Sequence, residues 1–377
     1  NMEWEDDFSK ARNYSLSKAT GDWILVLDAD ETISLRDHKH LTKLLDNPEA
    51  DAYSLTQRTY GSNLRHAFYV SCNTDSYSES RGYTGWIASD LVRLFRNKAC
   101  YQFHYRIHEV IEPSITSCGG NICQCSIPIH HYNYERSEQQ IEAKLANYLK
   151  LGLLQIQDTP SDPKPYIEAS QVYLQFGQHQ DAESTLKNAI TASAASPDIY
   201  NLLGTLYLQT NRPAEAQQAL EKGLTCRPND IEMLNKMASA SLAKGAINTA
   251  EKILSRALKL APDAVMTLNN LGLLYATTNR NAKSIKAFNN TLKINPHNEY
   301  ALTNLGVIYV MTKQFELAKF HLEHAHSIND RDPRILYHLA IAYHELGNIK
   351  HAIQLLKRAQ AIKPGDPAIN AYLDKLL

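Results

Sequence analysis

Prolines 228, 262 and 296 stand 34 residues apart, and Pro364 lies two further periods on, with Asp330 in the slot between. Counting backward, Ala194 and Pro160 hold the same slot. A fixed period of this size constrains a chain strongly, because each copy must be one small supersecondary unit that buries its apolar face against the next. Other positions recur in phase. Tyr173, Tyr207, Tyr275, Tyr309 and Tyr343 align, with Ser241 the exception. Gly204, Gly272 and Gly306 align with Ser170, Ala238 and Ala340, while Ala182, Ala216, Ala250, Ala318 and Ala352 align with Ser284. The small residue lets two helices approach closely, and the Tyr fills the space between them. The Ala on the second helix packs against the following unit. The Pro ends that helix, since it has no N–H to donate and clashes with the preceding turn.

A 34-residue period carrying these residues resembles the tetratricopeptide repeat, a helix-turn-helix unit. Six repeats over 163–366 are predicted, starting at Pro163, Pro197, Ile231, Val265, Glu299 and Pro333. The closing "DPAINAYLDKLL" reads as a capping helix over 367–377. The fold class of this half is an all-α superhelix. Asn270 and Asn304 stand two residues before Gly272 and Gly306, where such arrays face their inner groove. An amide offers both a donor and an acceptor, so this pair is predicted to bind the backbone of an extended peptide or protein partner. Leu202, Lys236 and His338 hold the equivalent slots elsewhere.

The first 135 residues follow another grammar. Phe8, Ala11, Leu16 and Ala19 recur at helical spacing before Gly21, which predicts a short helix over 8–19. "GDWILVLDADE" then reads as a strand buried on both faces that delivers Asp28 and Asp30 to its own end. Carboxylates that close repel, so solvent or a cation is expected between them. "LVRLFRN" and "CSIPIHHY" read as further strands, and 136–160 as a helix joining the halves.

Taken together, "DDFSKARNYSLSKATGDWILVLDADE" resembles glycosyltransferase family 2, inverting enzymes of the α/β GT-A fold that use nucleotide-activated sugars. The resemblance covers about residues 3–135, a partial GT-A domain, and is strongest over 6–31. It implies that Asp28 and Asp30 hold a divalent cation, Mg²⁺ or Mn²⁺, together with the donor diphosphate. By the same resemblance Asp28 lies nearer the ribose or metal, and Asp30 coordinates the metal directly. Only one of His130 and His131 can reach the site, because neighbouring strand residues face opposite ways; the resemblance favours His131, which precedes "YNY" much as in the family, as an added metal ligand. Arg12, Asn13, Asp28 and Arg106 are assigned to the nucleotide-diphosphate sugar donor, with Arg93 and Arg96 as further phosphate contacts. Glu109 in "YRIHEVIEP" is the candidate base that deprotonates the acceptor, with Asp90 its competitor. Trp86, beside Gly82 and Gly85, is assigned to a loop on the acceptor side. Family folds open with base-binding βαβ units of 30 or more residues each, so about 60 or more residues are expected before residue 1.

Placing such a segment before a repeat array is similar to bacterial members of the family, some of which glycosylate peptides. Two functions follow. One is a metal-dependent transferase acting on a protein, peptide or glycan acceptor, which the array presents through its groove. The other is an interaction scaffold with an incomplete transferase half. The intact D-A-D-E and H-E sequences favour the first, and the missing start favours the second for this chain. A hydrolase using two opposed carboxylates fits poorly, since Asp28 and Asp30 share one strand end. The net charge of −1 gives no electrostatic reason to expect nucleic acid or an anionic membrane surface. No apolar stretch is long enough to span a bilayer, and a cytoplasmic location, extending to the inner face of the membrane, is expected. Cys118, Cys123 and Cys125 lack a standard zinc spacing and read as reduced thiols.

Overall fold

The computed structural model describes residues 3–46, 48–61, 69–72, 75–132 and 137–377. Two compact units result, Asn1–Ala194 and Ala195–Leu377. This division differs from the sequence expectation. The first unit takes in the joining helix and the first predicted repeat, while the expected boundary at 135 falls outside the described residues.

The first unit opens with α1 (Phe8–Leu16), whose N-cap Asp7 accepts a bond from the Lys10 amide. The strands are β1 (Trp23–Leu25), β2 (Glu31–Thr32), β3 (Ala52–Gly61), β4 (Tyr69–Ser71), β5 (Gly85–Arg96) and β6 (Ile122–His131). Their order is β1-β5-β3-β6-β2, with β4 also on β5; β3 and β6 run parallel and the other pairs antiparallel. Helix α2 (His38–Asp46) belongs to the apolar cluster of Tyr53, Leu55, Leu94 and Ile129, into which Leu41, Leu44 and Leu45 pack. A second cluster joins Val92, Phe95, Phe103 and Ile111 to Ile115 of α3 (Glu112–Ser117).

The expectation of a strand buried on both faces is corrected here. β1 is three residues long, lies at the end of the strand order, and leaves Leu25 37% and Leu27 38% exposed. Ile24 and Val26 pack into the second cluster. One face is covered; the run is apolar, yet it alternates. Gly85 opens β5, where it pairs with Gly61, and Gly82 occupies a left-handed turn at φ 92°, so only the latter belongs to the loop.

Helix α4 (Glu138–Asp158) begins with a capping box between Ser137 and Gln140. The pair α5 (Pro163–Gln175) and α6 (His179–Thr191) completes the first unit. The second unit holds five further pairs, with first helices at Pro197–Gln209, Ile231–Ala243, Val265–Thr277, Glu299–Met311 and Pro333–Glu345. These starts match the predicted ones. Caps follow the period: Asp162, Ser196, Asp230, Asn298, Asp332 and Asp366 each accept from an amide of the helix they open. Second helices end at Cys226, Leu260, Ile294 and Ile362, two residues before their prolines, because the residue preceding Pro is pushed out of helical space. The cap helix Pro367–Leu376 buries Ile369 and Leu373.

The recurring small residues act as the spacing suggests. A Cβ on Gly306 would stand 2.3 Å from Leu322 Cγ, and one on Gly272 2.6 Å from the Phe288 ring. Ala216, Ala250, Ala318 and Ala352 are completely enclosed. Where Ser284 replaces Ala, its hydroxyl donates to the Gly272 carbonyl at 2.7 Å. The substitution Gly306→Ala is therefore expected to destabilise the second unit by about 1–3 kcal/mol through overpacking, despite the better helix propensity of Ala. Urea melts of wild type and variant measure it, and equal midpoints would remove the close-packing argument.

Candidate active site

Asp28, Arg12, Arg93, Gln57 and Glu109 line one cleft of about 1070 Å³ within the first unit. Arg12 is on α1, and its guanidinium bridges two carboxylates. Nη2 donates to Asp28 Oδ1 at 2.8 Å, while Nε donates to Glu109 Oε1. Arg93 Nη2 reaches Asp28 Oδ2 at 3.2 Å and Glu31 Oε1 at 3.0 Å. The Glu31 side chain is wholly enclosed; it also accepts from Gln57 and from the Asp28 amide. Burial raises the Asp28 pKa, but the hydrogen bonds and charge of Arg12, then the charge and hydrogen bond of Arg93, outweigh it and hold the carboxyl below its usual range.

The acidic pair therefore separates. Asp28 meets two guanidinium groups in the cleft. Asp30 is not among the lining residues; its carboxylate lies 3.4 Å from His131 Nε2, where β2 and β6 pair Glu31 with His131. The cations expected between the two carboxylates are, for Asp28, arginines of this chain. His131 and His130 face opposite ways. His131 Nδ1 meets Thr59 at 3.0 Å, whereas His130 is fully buried against the Tyr60 hydroxyl at 2.6 Å.

Glu109 sits on a tight loop closed by reciprocal backbone bonds, His104 N–H to Val110 O at 2.9 Å and Val110 N–H to His104 O at 3.2 Å. Within it Tyr105 and His108 take positive φ of 77° and 49°, conformations that cost a non-glycine residue on the order of 1–3 kcal/mol each.

Several assignments are corrected. Asn13 spends its side chain on the Phe103 backbone, donating to the carbonyl at 3.0 Å and accepting from the amide at 2.8 Å, so it fastens α1 instead of facing a donor. Arg106 pairs with Asp158 at 2.6 Å and donates to Asp6 O at 3.2 Å, which ties it to α4. Arg96 stacks over Trp23 at 4.4 Å. Asp90 lies off the cleft lining; it accepts from Thr56 at 2.7 Å and Gln124 at 3.2 Å. Trp86 is not in the cleft either; Arg58 lies over its ring at 4.6 Å. Asn270 donates to Asn235 Oδ1 at 2.8 Å, and the buried Asn304 donates to Tyr300 O and accepts from Arg334, both at 2.7 Å. These two amides bond within the array and are not the free peptide hooks that their spacing suggested.

All six cysteines are free thiols. Among the described residues no three His, Cys, Asp or Glu side chains gather to hold a metal. The donor set at Asp30 and His131, one carboxylate and one imidazole, fits a cation whose shell is completed by phosphate oxygens, not an all-protein cage. The sequence reading missed Glu31 and Gln57. Glu31 directly follows the acidic pair and was legible as a third acid; Gln57 carries no local signal.

The family model for Glycosyl transferase family 2 matches residues 1–106, and tetratricopeptide repeat models match 173–240, 235–299 and 310–376. The chain is thus a glycosyl transferase family 2 segment followed by a tetratricopeptide repeat array. Over 209 residues it is 30% identical to a TPR repeat-containing protein of Synechococcus elongatus, covering 53% of this chain and 46% of that one. Over 162 residues it is 27% identical to the SPbeta prophage-derived glycosyltransferase SunS of Bacillus subtilis, covering 43% of this chain and 34% of that protein. The chain spans less than half the length of these curated relatives. In fold it is similar to a chain of the APC/C hetero-tetramer Cut9-Hcn1, with a TM-score of 0.55 at 17% identity over 64% of this chain and 47% of that one. PilW, a type IV pilus biogenesis factor, gives 0.51 at 15% identity over 56% and 98%. No helix among the described residues is long and apolar enough to cross a membrane.

Proposed function

We propose that this chain belongs to a glycosyltransferase that moves a sugar, with inversion, from a nucleoside diphosphate to an acceptor recruited by the repeats. One observation carries the reading: a single cleft brings Asp28 and Arg12, of the segment matched by the family, together with Glu109, three residues beyond its end. In this reading Glu109 takes the proton of the acceptor nucleophile as that atom bonds to the anomeric carbon. The bond from that carbon to the diphosphate oxygen breaks on the opposite face, and its electron pair leaves with the nucleoside diphosphate.

Arg12 sets the order of events. Its guanidinium now holds both Asp28 and Glu109. A diphosphate competes for that guanidinium through charge-assisted bonds, and the Glu109 carboxylate is released to face the acceptor as Arg12 turns away. Asp30 and His131 would hold a divalent cation, which supplies charge neutralisation for the departing diphosphate. A protein or peptide acceptor is the natural cargo for the repeats, by a route other than Asn270 and Asn304.

A nucleoside diphosphate with Mg²⁺ or Mn²⁺ at a hundred times its Kd is expected to stabilise the protein by about 2.7 kcal/mol, and Asp30→Ala to abolish the effect. Thermal shift across UDP, GDP and both metals checks this, and a flat profile would count against the assignment. The scaffold reading is favoured by the internal neutralisation of Asp28 and Glu109 by Arg12. It predicts that flat profile.

A further inference from the structure

The Glu109 loop is held from outside the family-matched segment. Lys164, in the first turn of α5, donates from Nζ to the His108 carbonyl at 2.9 Å and lies 3.9 Å from the centre of the Tyr105 ring. Glu168, one turn on, faces His108 Nδ1 at 3.2 Å and Lys164 at 3.9 Å. Tyr105 is gripped a second time: burial first, and then the Asp162 carboxylate at the α5 N-cap, push its hydroxyl up to about 12. Helix α4 adds Gln155, which accepts from the Arg106 amide at 2.8 Å, and Tyr148, whose ring meets His108 edge-on at 5.2 Å.

The residues gripped by α5 are the two with positive φ. Tyr105 and His108 flank the turn that aims Glu109, and a loop in that conformation persists only where its surroundings over-determine it. Desolvation lowers the Lys164 pKa, in keeping with an ammonium that has given up water for a carbonyl and a ring face.

We propose that Lys164 and Glu168 of the first repeat are positioning residues for the Glu109 loop, so that this repeat is part of the transferase unit rather than only of the array. The inference rests on Glu109 acting as the base. Its structural half is testable without that assumption. In the full chain, Lys164→Met is expected to speed hydrogen exchange at the His104 and Val110 amides about tenfold or more, with α4 protection unchanged. Release of nucleoside diphosphate from UDP-glucose, UDP-N-acetylglucosamine or GDP-mannose is expected to fall about 10–100-fold with donor KM within about twofold, and Lys164→Arg to restore most of it. Glu168→Gln, which preserves size, should loosen the same two amides. Unchanged exchange at both amides in Lys164→Met and Glu168→Gln overturns the proposal. Faster exchange in a protein whose wild type acts on none of the three donors supports the clamp and overturns the transferase reading instead.

Discussion

Glu109→Gln is expected to reduce turnover by about 10²–10⁴ while leaving donor affinity within about twofold. The geometry explains the split. Glu109 lies in the cleft but bonds only to Arg12 among the groups proposed for the donor, so it contributes no cation ligand. A Gln keeps an acceptor oxygen toward Arg12 yet cannot take the acceptor's proton. It also frees part of the guanidinium charge, so donor binding should hold or tighten slightly. Single-turnover rates beside isothermal titration with the nucleoside diphosphate separate the two quantities. If Asp90→Asn shows loss of turnover with retained affinity, and Glu109→Gln does not, the base is Asp90 and the cleft has been misread.

Arg93→Met is expected to cost the first unit about 3–5 kcal/mol, the usual consequence of stripping the partner from an enclosed charge. Arg93 is nearly buried, and the Glu31 carboxylate facing it is wholly enclosed. Gln57 and the Asp28 amide would remain as donors, but neither carries charge. The pH dependence follows from Asp28. A carboxyl whose folded pKa is depressed contributes stability that is present above its unfolded value of about 3.9 and disappears as pH falls through the folded value. The deficit of Arg93→Met should thus persist from about pH 5 to 8 and narrow only in stronger acid. Chemical denaturation of the two proteins across that range tests it. A variant as stable as wild type would mean that the Arg93–Glu31 pair does not hold the first unit together.

Legibility in the sequence tracked the range of the interaction. The repeat starts were readable because period, cap and proline are local and repeat, and each register confirms the next. Strand alternation made it readable that only one of His130 and His131 can face Asp30, while the choice of His131 came from the family resemblance. Asn13 and Arg106 were misassigned because each is recruited by a chain segment far away, Phe103 and Asp158, which no local pattern announces. Asn304 failed for another reason. It was read as facing a groove, but the side chain is buried and the partner that takes its amide oxygen comes from the next repeat, at Arg334. The apolar run at 23–27 misled because its alternation is concealed by uniform hydrophobicity.

Repeat number and folding unit are out of step in this molecule by one helix pair. Counted by sequence period, α5 and α6 are the first member of a series of six; counted by cohesion, they belong to the other body, which closes at Ala194. A gene fragment ending near residue 160, where the sequence changes character, would encode Glu109 and Arg12 but omit Lys164 and Glu168. The modular grammar of the chain therefore gives a poor guide for cutting it. If Lys164 and Glu168 hold the Glu109 loop, a piece meant to carry the chemistry has to include a helix pair whose sequence advertises it as something else.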